Sequence, residues 1–407
     1  MKIINIYENS SYTLDSKYIY EFVQLLKDNK KLPVRLKEET LFFDSYTIGS
    51  IQIKDLIINI LPRTPKVTNN HYLEMQLYNE GLLDEKIVSL LGESASYGIQ
   101  DNLINLFLEE TFELVSRGLE GSFIKIQEET NQIHGRILVD KISPINLLQD
   151  KIPIEYEMHT LNTSYNKLIK LALERSKILT KKKNHIKLLA LTNSFFDEID
   201  ADIHNLNELL QTEDEKLYFS NEKYPIVLGL AKKILKDLKI NLTNNKITSS
   251  SYLVNSNNLF EKYVRTVLTN HLKLKITKWD KPKRMGKLKV DSTEFIKSYS
   301  PDIMIDFHND SNSAFAVLDA KNKDISNHNK IGSISDLYQL LFYCYSLNSN
   351  YGGLVYPYYG KLDPVRINIE SFKETNLFAF SIDFSKHIKD RNLTFSRSIK
   401  ETLNILN

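Results

Sequence analysis

The chain has 407 residues, 42% hydrophobic and 26% charged, with a formal net charge of +2, so it is long enough for two or three domains and too balanced to announce a nucleic-acid partner by global charge. A single cysteine, Cys344, excludes a disulfide framework and a cysteine-rich zinc site. The sequence has no run of about 18 apolar residues to span a membrane. It also lacks a G-x-x-x-x-G-K-[ST] loop, and its start, MKIINIYENSS, lacks the apolar core of a signal peptide. A cytoplasmic chain that binds no nucleotide itself is expected.

Residues 1–66 read as mostly strand. Ser50 to Ile53 and Leu56 to Ile60 flank Lys54-Asp55 as in a hairpin, and Pro62 and Pro65 end it. From 72 to 117 the period becomes helical, with Leu103, Phe107, Leu108, Phe112 and Val115 on one face and Gly118 as a stop. Phe123 to Ile126 is a short strand candidate. Residues 160–240 read as helical, with Leu161, Tyr165, Leu168, Leu171 and Ala172 forming one stripe. The polar segment Asn241 to Ser251, NLTNNKITSSS, has no hydrophobic period and marks a domain boundary. The expected architecture is a multidomain α/β protein. Its N-terminal region, 1–245, is strand-rich over 1–70 with a β-hairpin and mostly helical over 71–245. A second α/β domain covers 252–407.

Between His271 and Lys289 stand eight basic residues (Lys273, Lys275, Lys278, Lys281, Lys283, Arg284, Lys287, Lys289) against Asp280, with Trp279, the only tryptophan, among them. Two readings stay open: a phosphate-tracking patch with a stacking ring, or a lysine-rich strand with Trp279 anchored in the core.

The most informative stretch is PDIMIDFHNDSNSAFAVLDAK, from Pro301 to Lys321. Ile303, Ile305 and Phe307 alternate as in a strand, His308 to Asn312 are turn formers, and Ala314 to Leu318 is a second apolar run. Such a hairpin brings Asp302 beside Asp319, and Lys321, two residues on, emerges on the face of Asp319. Two carboxylates bind a hard cation such as Mg2+, and the lysine can orient a water for attack on phosphorus. Upstream, Asn258 to Val264 begins a helix that carries Glu261. Downstream, Ser335 to Tyr343 reads as a helix with Gln339 and Tyr343 on one face.

This pattern resembles the PD-(D/E)xK nuclease core, with Asp filling the D/E position. The resemblance implies a restriction-endonuclease-like fold for 252–407 and Mg2+ held by Asp302, Asp319 and the carbonyl of Ala320. Lys321 then positions the attacking water. Glu261 adds a ligand through water or supports the site from its helix. Gln339 and Tyr343 have the spacing found near the substrate in RecB-related nucleases.

Nearly the whole chain resembles the McrC family, the nuclease subunit of McrBC-type and LlaJI-type restriction systems. The segments that carry this are IQIKDLIINILPRTPK, RGLEGSFIKIQEETNQIHGRI, IEYEMHTLNTSYNKLIKLAL, LFEKYV, PDIMID…LDAK and DLYQLLFYCYSLNSNYGGLVYP. Asn322 departs from the aromatic often found after the lysine, at a position not expected to carry chemistry. The resemblance implies that the C-terminal domain cuts double-stranded DNA. The N-terminal region, around 51–66 and the helices after it, docks on a hexameric McrB-like AAA+ GTPase and stimulates its GTP hydrolysis. Recognition of methylated cytosine sites falls to that partner. Two alternatives are a catalytically silent adaptor that activates the partner, and a stand-alone RecB-like nuclease.

Overall fold

The computed structural model describes residues 2–30, 32–93, 98–180, 182–202, 205–211, 219–243, 246–290, 293–369 and 375–405. They form two compact units, Met1–Gln100 with Lys239–Asn407, and Asp101–Leu238. No helix among the described residues is long and apolar enough to cross a membrane.

The first unit opens with β1 (Lys2–Tyr7), β2 (Ser11–Thr13), α1 (Ser16–Asp28), β3 (Val34–Lys37), β4 (Thr40–Phe43), β5 (Thr47–Ile53), β6 (Leu56–Leu61), α2 (Asn69–Asn79) and α3 (Glu85–Glu93). The expected hairpin is β5–β6, turning at Lys54 with φ 52°, and Ile51, Ile53, Leu56, Ile58 and Ile60 are all buried. Helix α1 is, among the described residues, the one helix in a region expected to be mostly strand. Its signals are local: the Asp15 carboxylate accepts from the Lys17 N–H as an N-cap, and Tyr18, Phe22 and Leu25 fall on one buried face.

The second unit contains most of α4 (Ile99–Ser116), then β7 (Ser122–Thr130), β8 (Arg136–Ile137), α5 (Pro144–Leu148), β9 (Ile152–Thr160), α6 (Ser164–Leu179), α7 (Lys183–Asn193), α8 (Leu206–Gln211) and α9 (Tyr224–Asp237). The expected short strand Phe123 to Ile126 lies within β7, which joins β8 and β9 in a small β7-β9-β8 sheet between the helical stretches. The stripe on α4 is buried apart from Phe112, which is 39% exposed. On α6, Leu168, Leu171 and Ala172 are buried as expected, and Arg175 Nη1 donates to the Leu235 carbonyl near the end of α9 at 3.1 Å.

The first unit resumes with β10 (Lys239–Thr243) and β11 (Lys246–Asn255). Here the structure corrects the expected boundary near 245–252, of which residues 244–245 lie outside the described set. Strand β11 pairs antiparallel with β5 from Ser249↔Ile53 to Asn255↔Thr47, completing a sheet of order β1-β6-β5-β11-β10. The strand reads as a linker in sequence because Ser249, Ser250 and Ser251 fill buried positions that normally carry apolar side chains.

Then follow α10 (Ser256–His271), β12 (Ile276–Thr277), β13 (Lys283–Val290), β14 (Thr293–Tyr299), β15 (Ile303–His308), β16 (Ser313–Ala320), α11 (Ile334–Ser346), β17 (Tyr351–Tyr358), β18 (Val365–Ile367), β19 (Asn376–Asp383) and α12 (Ile388–Thr402). A six-stranded sheet has the order β12-β15-β16-β17-β19-β18. Strands β16, β17 and β19 run parallel, and β15 is antiparallel to β16. Residues of α10 and α12 join one core cluster with this sheet, and residues of α11 join a second. Both faces are therefore covered, which is why Ile303, Met304 and Ile305 are all buried although a one-sided strand would expose the middle one. At Gly353 in β17 a Cβ would lie 2.6 Å from Leu318 Cδ2, so the close packing there requires glycine. Ile48, Val67, Tyr72 and Met75 from the N-terminal segments lie in the cluster shared with α10 and α12.

His71, at the start of α2, couples this packing to pH. Its Nδ1 accepts from the Thr68 N–H at 3.0 Å, so the ring is neutral on that nitrogen, and it packs edge-on against Phe384. Burial, then the Arg391 charge, push its pKa down to about 4. The unfolded chain therefore takes up a proton near pH 6.5 that the fold refuses. The contribution to stability is full above that pH and is lost as pH falls toward 4, by about 3 kcal/mol in all. His71→Gln, which keeps a side chain suited to the cap, is expected to make stability less pH-dependent in that window than in the wild type, as read by denaturant titrations at pH 7 and pH 5.

Candidate active site

Pro301-Asp302 enters β15, and Asp319-Ala320 ends the neighbouring β16, with Ile303 opposite Leu318. This register places Asp302 beside Asp319, and the Ala320 N–H donates to Asp302 Oδ2 at 3.0 Å. Lys321 folds back so that Nζ lies 2.5 Å from Asp319 Oδ2. Its ammonium also donates to Gln339 Oε1 at 2.8 Å, and Gln339 Nε2 donates to Tyr343 OH at 2.8 Å. The helical spacing of Gln339 and Tyr343 thus becomes a chain of contacts running from α11 to the lysine. These residues line a cavity of about 350 Å³ together with Glu261, Ser300, Ala320 and, from the N-terminal segment, Tyr46.

Glu261 on α10 lines the same cavity but is turned toward other partners. Its carboxylate accepts from Asn257 Nδ2 at 2.6 Å and from Lys278 Nζ at 3.1 Å. Lys278 Nζ also lies 4.0 Å from Asp302 Oδ1, so a cation separates the two carboxylates. In sequence Lys278 stands only as part of a basic patch. Asp336 is a further residue of the site: its carboxylate is held by Lys323 at 2.7 Å and Ser333 at 2.6 Å and lies 3.7 Å from Lys321 Nζ. The Lys278 role had no local signal. Asp336 had one, because it lies three residues before Gln339 and therefore on the same helix face. Trp279 takes the anchored reading: it packs edge-on against Tyr299 and Phe307, with Lys283 Nζ 4.3 Å over its ring.

The electrostatics are those of two largely buried carboxylates at the edge of a polar cavity. Asp319 is 2% exposed. Burial, then the charges of Asp319 and Glu261, raise the pKa of Asp302 well above the carboxylate range. Burial opposes the Lys321 ammonium, but Asp319, Asp336 and Asp302 outweigh it, so the lysine is held protonated. Among the described residues no group of three or more His, Cys, Asp and Glu is placed to hold a metal together. The donor set is therefore two facing carboxylates. It fits Mg2+, which binds through one or two carboxylates and keeps several waters, and which would relieve their repulsion.

Asn322, the departure from the family pattern, is a structural tie. It is 3% exposed, accepts from Tyr72 OH at 2.8 Å and donates to Ser256 Oγ at 2.8 Å, which donates to Glu8 at 2.9 Å. Asn322→Ala leaves the Tyr72 hydroxyl without its acceptor and is expected to cost about 1–3 kcal/mol, measured by denaturant unfolding.

The fold and site define an α/β protein with a buried carboxylate pair and a lysine at the ends of adjacent strands. The family model described as McrBC 5-methylcytosine restriction system component matches residues 44–357, and the chain belongs to that family. No curated protein matches the sequence. Among solved structures, a chain of the refined half-complex from the tetradecameric assembly of Thermococcus gammatolerans McrB AAA+ hexamers with bound McrC aligns at TM-score 0.72 and 18% identity, over 98% of this chain and 100% of that one. A chain of the Thermococcus gammatolerans McrBC complex aligns at TM-score 0.50 and 20% identity, over 66% and 87%.

Proposed function

We propose that this chain is the DNA-cutting subunit of a nucleotide-driven restriction complex, a Mg2+-dependent PD-(D/E)xK endonuclease that works with a McrB-like AAA+ GTPase hexamer. The observation that carries the reading is the meeting of Asp302, Asp319 and Lys321 in one cavity at the ends of β15 and β16. Family membership and the McrB hexamers with bound McrC in the related assembly support the partner. The cutting residues all come from 252–407, and we assign partner docking and GTPase stimulation to 1–245.

In this mechanism Asp302, Asp319 and the Ala320 carbonyl would hold Mg2+, which would supply a Lewis acid for the scissile phosphate and a bound water of lowered pKa. Lys321 is held protonated, so it acts as a fixed cation: it orients the attacking water and offsets the charge that develops on the phosphoryl oxygens. Gln339, itself braced by Tyr343, holds the ammonium at the cavity. Glu261 and Lys278 form the wall on the α10 side, where Lys278 holds the Glu261 carboxylate, so any contact of Glu261 with the ion would run through water.

The test incubates the chain, alone and with its AAA+ partner, with Mg2+ and GTP or ATP on methylated and unmethylated plasmid. Cutting that needs partner, nucleotide and metal supports the reading. Stimulated nucleotide hydrolysis without cutting replaces it with the adaptor reading, and cutting by the chain alone replaces it with the stand-alone nuclease.

A further inference from the structure

Strands β13 and β14 form a two-stranded sheet of their own, paired with each other from Lys283↔Tyr299 to Val290↔Thr293. Leu288 pairs with Phe295 and Lys287 with Ile296, so adjacent pairs face opposite sides of the ribbon. Leu288, Phe295 and Ile296 are nevertheless 47%, 49% and 65% exposed. Apolar side chains thus stand open on both faces, which a ribbon packed on its own protein would not show. The charge is one-sided. From Lys281 to Lys297 the sequence has six basic residues and two acidic ones, a net +4 in a chain whose total is +2.

The ribbon is rooted at the candidate active site. Tyr299, the last residue of β14, stacks on Tyr343 with ring centroids 6.2 Å apart and meets Trp279 edge-on. Ser300, the next residue, lines the cavity. An eight-residue strand is about 25 Å long, and a two-stranded ribbon is the shape that a DNA major groove, about 12 Å wide, admits.

We propose that the β13–β14 ribbon lies in a groove of duplex DNA and holds the duplex over the cavity. Lys289 and Lys297 meet the phosphates, Lys287 joins them by exchanging its ion pair with Glu294, and Phe295 and Ile296, on opposite faces of the ribbon, supply apolar contact to the groove. The chain then holds DNA itself beside its own cutting site, independently of whatever sequence or modification its partner reads. The inference rests on the reading of the cavity as a DNA nuclease.

The test measures binding of a fluorescent 30-base-pair duplex by the full chain, alone and in complex with its AAA+ partner, in EDTA so that the DNA stays intact. Cutting is measured separately with Mg2+. The triple variant Lys287→Ser, Lys289→Ser, Lys297→Ser is expected to weaken binding at least tenfold near 100 mM salt. It is also expected to flatten the slope of log K against log salt by about 2–3. Phe295→Ser with Ile296→Ser is expected to weaken binding with the salt slope unchanged. All these side chains are exposed, so the melting temperature should stay at the wild-type value. Wild-type cutting with unchanged binding and cutting by both ribbon variants overturns the inference and leaves the nuclease reading standing. Variants that hold DNA normally but lose the partner or self-association overturn it in favour of a protein contact. A wild-type chain that neither binds duplex nor cuts removes the nuclease reading, and the inference with it.

Discussion

Lys321→Ala is expected to lower DNA cleavage by about 100- to 1,000-fold, the usual loss when one fixed donor to a developing charge is removed. The side chain is 15% exposed and Asp319 only 3%, so truncation removes the ammonium held between Asp319 and Gln339. The stranded Asp319 carboxylate is expected to lower stability as well, so cutting is compared at a temperature where the variant is folded. Asp336, the other carboxylate near Lys321, keeps its bonds to Lys323 and Ser333. Lys321→Arg should not restore cutting, because a planar guanidinium cannot present one compact charge to both Asp319 and Gln339. The measurement is the initial rate on plasmid in the partner complex, with thermal unfolding as the control for folding. A Lys321→Ala protein that cuts within threefold of wild type would remove the lysine from the mechanism.

Arg391→Ala is expected to destabilise the first unit by about 3–5 kcal/mol, roughly 5–10 °C in melting temperature. Arg391 on α12 is 1% exposed, and its guanidinium lies 2.6 Å from Glu74 on α2, donates to Tyr263 OH at 2.8 Å and sits 4.5 Å over the Phe384 ring. Truncation leaves the buried Glu74 carboxylate without a cation and the ring faces without contact. The cost should come mostly from the stranded charge, so Arg391→Met combined with Glu74→Leu should recover most of it. A double variant as unstable as Arg391→Ala alone would show that shape, rather than charge, sets the loss.

The hairpin from Asp302 to Lys321 is legible in sequence because strand period, turn formers and charge placement all act within those 20 residues, and each is local. Gln339 and Tyr343 are legible for the same reason, since four residues along a helix fix one face. What escapes is what tertiary packing decides. Nothing near Glu261 announces that Lys278 occupies it, because that contact depends on how α10 meets the segment after it. The serines of β11 hide the middle of a strand, since pairing with β5 holds Ser249 to Ser251 and the apolar Tyr252 to Val254 begin only after them. Asn322 looks neutral until Tyr72, 250 residues earlier, supplies its donor. Helix α1 was readable from Asp15 and the Tyr18, Phe22, Leu25 spacing, but the strands around it dominate the composition of that region.

The pairing of β11 with β5 also shapes how the protein must be made. During synthesis β5 emerges with Ile48, Ile51 and Ile53 and pairs with β6, yet its other edge stays open until Asn255 has left the ribosome. About 200 residues separate the two strands, which at translation rates of about 5–20 residues per second is a wait of roughly 10–40 s. A bare, isoleucine-rich strand edge over that interval is a template for wrong pairing between nascent chains on one message. The newborn chain therefore depends on the speed of elongation and on holdase capture of this edge, and slow codons between Gln100 and Lys239 would lower its yield without altering one residue of the finished molecule.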